Sequence, residues 1–199
     1  MNQITFKQYR TIDVIILVAL TTVFEGIATL ATARWFALQP VALSIGLAMV
    51  CVTMMRWGWQ AAFGAFFSGL VFCFLSGATA QQFVIYCIGN IFALLGMVWF
   101  KVFGKEGIRN SLLLITLFVS TAYAGQVIGR SLIAILFGDS WGAFVTFATT
   151  DIMSLVFAVL VIALFRQTEG MLEDQKAYLL RLDKQKKETQ DEPVREEEF

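Results

Sequence analysis

Ser111–Phe137, SLLLITLFVSTAYAGQVIGRSLIAILF, runs 27 residues with one charged side chain, Arg130. A helix crosses the hydrocarbon core of a bilayer with about 20 predominantly apolar residues, and this stretch exceeds that. Its small residues recur at helical spacing, Gly125 and Gly129 lying four apart, whereas a barrel strand would alternate at every second residue. The segment therefore reads as a transmembrane helix, and the rest of the chain is read outward from it.

Five further segments meet or approach that length: Asp13–Ala33, Pro40–Met55, Ala61–Ser76, Phe83–Phe100 and Gly142–Phe165. The expected fold class is an all-α membrane protein with six transmembrane helices and both termini in the cytoplasm. The polar start MNQITFKQYR precedes an apolar run too long for a signal-peptide core and without a convincing cleavage site, so that run reads as the first span.

Composition agrees. Of the 199 residues 58% are hydrophobic and 15% charged, against about 25% charged in an ordinary soluble domain. The charges are also unevenly spread, 17 of the 30 falling from Arg166 onward. Residues 1–166 thus form one membrane domain and 167–199 a charged tail. Within the tail, MLEDQKAYLLRL places Met171, Leu172, Tyr178, Leu179 and Leu182 among charges, the pattern of a short amphipathic helix. Beyond Lys184 the run is too polar to bury a core.

Basic residues set the orientation. Lys7, Arg10, Arg56, Lys101, Lys105, Arg109 and Arg166 all fall on one side of a six-span topology, which is assigned to the cytoplasm. The opposite loops hold Arg34, the uncharged SGATAQQ and GDSW.

Several function classes recede on composition. The formal net charge is zero, which gives no footprint for nucleic acid. There is no His, hence no usual general base or commonest metal ligand. Cys51, Cys73 and Cys87 sit in apolar runs without CxxC spacing and read as small buried hydrophobes. No phosphate loop, HExxH or GxSxG occurs. No metal site, no resident cofactor and no enzyme activity are expected, and no inverted repeat is evident.

The informative residues are the charges inside spans, because burying them costs several kcal/mol. Glu25, Arg130 and Asp151 fall at similar depth toward the outer side, pointing to one shared, partly wet cavity that opens outward. Thr22, Glu25, Thr29 and Thr32 share a face of the first span; Tyr123, Gln126 or Val127, and Arg130 share one of the fifth. Tyr86 and Asn90 add polar groups in the fourth span, and Thr146, Thr149 and Thr150 in the sixth. Arg34, Trp35, Gln39, Gln81, Gln82 and Trp141 lie in the outer loops. Aromatics, amides and a few charges suit a pocket for an organic solute. A structural ion pair of Arg130 with Glu25 or Asp151 is the plainer alternative, threonines bonding their own helix another, and Trp35 and Trp141 also suit an interfacial belt. Small residues, Ala61, Ala65 and Gly69 and again Gly125 and Gly129, permit close helix approach. They serve packing or docking to another membrane subunit, as does the first span around Ala19 and Val23.

The stretches TIDVIILVALTTVFEGIA, MRWGWQAAFGAFFSGLVFCFLSGATAQQFVIYCIGN and TTDIMSLVFAVLVIALFRQTEGMLEDQKAYLLR resemble the substrate-binding S components of energy-coupling factor (ECF) transporters, in particular the CbrT-like, cobalamin-specific family. The resemblance implies a bacterial plasma-membrane protein that captures cobalamin from outside. It would then deliver it inward when docked on a transmembrane coupling protein (EcfT) and two cytosolic ATPase subunits. Pantothenate and folate are served by the same architecture; a carboxylated substrate would pair with Arg130 or Arg34. The first helix of the family commonly carries an AxxxA docking face; here Ala19 is flanked by Ile15 and Val23, so the pattern departs. A non-transporting membrane scaffold is the competing class.

Overall fold

The computed structural model describes residues 6–35, 42–168 and 170–181, which are helical with no strand among them. Helix α1 spans Phe6–Trp35 without a break, about 45 Å at 1.5 Å per residue. Helices α2 (Gly46–Trp57) and α3 (Ala61–Leu75) are joined by a 3-10 turn. Helix α4 (Ala80–Gly89) continues through a 3-10 stretch, Asn90–Met97, into α5 (Val98–Asn110). Helix α6 spans Leu112–Leu136, followed by α7 (Ala143–Thr150) and α8 (Ile152–Phe165).

Four helical stretches are long and apolar enough to cross a membrane: Phe6–Trp35, Gly46–Leu75, Ala80–Asn110 and Leu112–Leu136. Helices α7 and α8, bent by 46° at Asp151, make a fifth when taken as one span. The sequence reading expects six, and the difference lies in Gly46–Leu75. With 12 and 15 residues, α2 and α3 each fall short of a span and qualify only when joined. Yet they do not form one rod. A Cβ on Gly46 would meet Ser68 Cβ at 2.7 Å, and one on Gly64 would meet Val50 Cγ2 at 3.8 Å, so the two helices lie antiparallel. Gly58 makes the reversal with φ +68°, a conformation open to a residue without Cβ.

The shortness of α2 reflects its position. All its residues except Arg56 are buried, and α1, α3 and α8 pack around it. A helix apolar on every side belongs in a core rather than at a lipid-facing surface.

Helix α6 packs against the α4–α5 stretch through glycine. A Cβ on Gly125 would sit 2.3 Å from the Phe92 carbonyl oxygen, and one on Gly129 2.6 Å from that of Gly89. The small-residue spacing predicted for packing thus brings two backbones into contact. At Gly104, φ +67° breaks α5, so residues 105–110 turn aside and the buried Ile108 anchors them to the core.

One end of the bundle is closed by a polar clamp. Arg56 donates to both carboxylate oxygens of Asp13 at 2.9–3.2 Å, with Trp57 Nε1 as a further donor to the same carboxylate. Its Nη1 donates to the Gly170 carbonyl at 3.0 Å. Leu172 is buried in the main core, and Leu179 packs on Val14, Leu17, Met49 and Trp57. The amphipathic part of the tail therefore covers the end of its own bundle; Leu182 and the polar run after it lie outside the described residues.

Replacing Gly129 with Ala sets a methyl against the Gly89 carbonyl oxygen at 2.6 Å and the root of the Phe92 side chain at 2.6–2.7 Å, neither of which can swing away. The expected loss is about 1–3 kcal/mol or more, read as a lowered apparent Tm of the detergent-solubilised protein. Gly107→Ala, whose Cβ would meet only Phe103 Cβ at 3.6 Å, should leave it unchanged or slightly raised.

Candidate functional site

Opposite the Arg56 clamp, polar side chains from most of the helices converge. Glu25 of α1 is 2% exposed and accepts hydrogen bonds from Ser44 Oγ at 2.9 Å and the Gly46 N–H at 2.7 Å. Gly46 opens α2, so the carboxylate sits where free N–H groups and the helix dipole favour negative charge. The lead-in to α2 is held by α7 and α8: the Ala42 N–H donates to the Thr150 carbonyl at 3.0 Å and the Ser44 N–H to Ser154 Oγ at 2.8 Å.

That anchorage depends on the break at Asp151. The Ser154 N–H bonds the Asp151 carbonyl, three residues back. The Thr150 carbonyl, which an unbroken helix would engage with that N–H, is thereby free to receive Ala42.

Arg130 of α6 is the second focus, 3% exposed. Its Nε donates to Asn90 Oδ1 at 2.7 Å, its Nη1 pairs with Asp151 Oδ2, and its guanidinium carbon lies 4.6 Å from the centre of the Tyr86 ring. Cation–π attraction and an ion pair together offset the desolvation of the guanidinium. Asn90 Oδ1 also accepts from Gln126 Nε2 at 2.8 Å, and Asn90 Nδ2 donates to Ser68 Oγ at 3.3 Å. Tyr123 donates its hydroxyl to the Ala148 carbonyl just before the break.

The geometry sorts the predicted residues. Glu25, Tyr86, Asn90, Tyr123, Arg130 and Asp151 come together in this region, and the Arg130–Asp151 ion pair is formed. Thr29 lies nearby but spends its hydroxyl on the Glu25 carbonyl of its own helix, 2.8 Å away. Arg34, Trp35, Gln81, Gln82 and Trp141 are exposed, Trp141 stacking on Phe144, and none of them reaches the polar centre. Gln39 lies outside the described residues. Ala61 and Ala65 are buried at 0% and 1% exposure, so their surface is taken up within the chain and gives no docking face. Ala19 and Val23 are exposed and line a groove of about 730 Å³ with Trp59, Phe63 and Phe67.

The wet, open cavity expected from the sequence is not what surrounds Asn90. The interstice bordered by Gly46, Val50, Ser68, Asn90, Ala93 and Gln126 encloses about 150 Å³ with no room for a water molecule. The side chains have satisfied one another across it. Three serines of the polar centre, Ser44, Ser68 and Ser154, were not anticipated from the sequence. Ser44 and Ser68 look like small residues in apolar runs, but Ser154 follows Asp151 by three and so shares its face.

Among the described residues no group of three His, Cys, Asp or Glu side chains is placed to hold a metal ion. No protein-family model matches the chain, and no curated protein or solved structure is significantly similar to it. What the fold defines is an all-helical bundle with several helices long and apolar enough to span a membrane, as in a multi-pass membrane protein.

A double-mutant cycle gauges the buried pair. Asp151→Ala leaves Arg130 without its counter-charge and should cost about 3–5 kcal/mol. Arg130→Met combined with Asp151→Leu should cost less than either single change. Equal, additive losses in thermal unfolding would mean that the two side chains are not coupled.

Proposed function

We propose that this chain is the substrate-capturing S component of an ECF-type vitamin importer in a bacterial plasma membrane. It crosses the membrane six times with both ends cytoplasmic and takes cobalamin as its substrate. The observation that carries the reading is the polar centre built by Glu25, Asn90, Gln126, Arg130 and Asp151 toward one end of an otherwise apolar bundle. Intramembrane charges are retained chiefly where they serve a ligand, an ion path or a partner. Six crossings require the antiparallel arms α2 and α3 to count as two, beside the four other apolar stretches.

The pairing of Arg130 with Asp151 supports this choice of substrate. Asp151 already neutralises it, so a neutral ligand rich in amides binds beside Asn90 and Gln126 without breaking the ion pair. A carboxylated vitamin such as pantothenate or folate would have to displace Asp151. Because the interior is closed, capture requires the outer turns around Gly77 and Gly138 to part. The groove along Ala19 and Val23 is the face offered to the transmembrane coupling protein, and two cytosolic ATPase subunits supply the energy.

Purified protein should bind cobalamin at one per chain, measured by calorimetry, with pantothenate and folate as competitors. Asn90→Leu should weaken binding at least about tenfold, the loss of one to two hydrogen bonds, while Arg34→Ala leaves it intact. Absence of binding to all three vitamins at micromolar concentrations would sink the reading. The closed interior favours one other class, a membrane scaffold, for which tail deletion abolishes function and Arg130→Ala does not.

A further inference from the structure

Where α6 begins and α8 ends, Arg109, Asn110, Arg166, Gln167, Thr168, Gly170 and Glu173 enclose a polar recess of about 400 Å³. Neither Arg109 nor Arg166 forms an ion pair or side-chain hydrogen bond with another described residue, whereas two other basic residues nearby are engaged. Lys105 pairs with Asp174 at 2.8 Å, and Arg181 pairs with Glu173. The one described carboxylate in the recess is therefore already neutralised by a cation outside it. Among the described residues what remains is two guanidinium groups with an amide from Asn110, an amide from Gln167 and the Thr168 hydroxyl, a donor-rich set suited to a planar or tetrahedral oxyanion.

We propose that this recess binds the phosphate of an anionic phospholipid headgroup. Its position along the chain favours lipid over free phosphate. Arg109 and Asn110 immediately precede the apolar run of α6, and Arg166–Thr168 immediately follow that of α8, so the recess lies at the level where the apolar helices leave the hydrocarbon. Leu112 and Leu113 at the start of α6 and Leu164 at the end of α8 are exposed at 53%, 67% and 63%. They offer acyl chains an apolar wall continuous with the recess. Basic recesses between helices on the cytoplasmic side of a membrane protein take anionic headgroups in this way. The local structure holds the two arginines in place: the break at Gly104 turns residues 105–110 aside, buried Ile108 fixes that turn, and the Arg56–Gly170 bond fixes the chain after α8. The inference rests on the proposed membrane orientation, with this end cytoplasmic, and is independent of the vitamin the protein carries.

Native mass spectrometry of the full chain in detergent tests it, with phosphatidylglycerol, phosphatidylcholine and inorganic phosphate offered in separate arms. Phosphatidylglycerol should be retained in preference to phosphatidylcholine. Arg109→Ala with Arg166→Ala should weaken retention roughly 20- to 30-fold, about fivefold per cation. Arg109→Lys with Arg166→Lys should keep most of it, and Arg10→Ala, a change at the same end outside the recess, all of it. Equal retention of both lipids, or no effect of the double alanine variant in a protein of unchanged Tm, would overturn the proposal. So would displacement of the lipid by an equal concentration of inorganic phosphate, which would identify a free-phosphate site. Cobalamin binding by the double alanine variant, measured in parallel, should be unchanged, so failure of either reading is visible apart from the other.

Discussion

A guanidinium buried inside an apolar helical bundle dictates much of what surrounds it. Arg130 is buried, and its neighbours Asn90, Asp151 and Tyr86 come from the α4 stretch and from the α7–α8 break. Those partners are reachable because glycine sits where the helices cross. A Cβ on Gly89 would lie 2.7 Å from the Arg130 backbone nitrogen, so any larger residue there would push α6 away from Asn90, the very next position. Close packing and polar pairing are thus one constraint seen from two sides. The tightened 3-10 stretch from Asn90 runs along this same contact.

The second constraint is the grip of α1 on α2. Two carboxylates of α1, Asp13 and Glu25, hold the two ends of α2 through Arg56 and the Gly46 N–H. The spacing matches: 12 residues on one helix and 10 on the other correspond to about 18 and 15 Å of helix rise. Between these ends α2 offers its neighbours only apolar contact and threonine bonded to its own helix. Apolar packing alone is tolerant of sliding. Polar contacts at both ends fix the register, because a shifted helix would leave a buried carboxylate without donors.

These two nodes divide the molecule into unlike halves. Toward the Glu25–Asp151 end lie helix interruptions, a non-helical lead-in to α2 and charges that answer one another. At the other end the tail is drawn over the bundle by Arg56, Lys105 and buried Leu172. The closed interstice beside Asn90 corresponds to a state in which the polar groups serve as one another's ligands.

Much of this was legible in the residues. Helical character and membrane-scale hydropathy follow from apolar runs, since those properties are local and additive along the chain. Glu25, Arg130 and Asp151 stand out because a charge in such a run is costly wherever it points. The glycine spacing of α6 likewise announces close approach. Which charge meets which is not local. Arg130 pairs with Asp151 rather than Glu25 because the break between α7 and α8 sets Asp151 beside it, while Ser44 and the N-terminus of α2 already supply donors to Glu25. The reversal at Gly58 and the burial of Ala61 and Ala65 also depend on neighbours far away in sequence. So does the closing of the interior, which side chains from several helices accomplish only by bonding one another across a gap that no single helix contains.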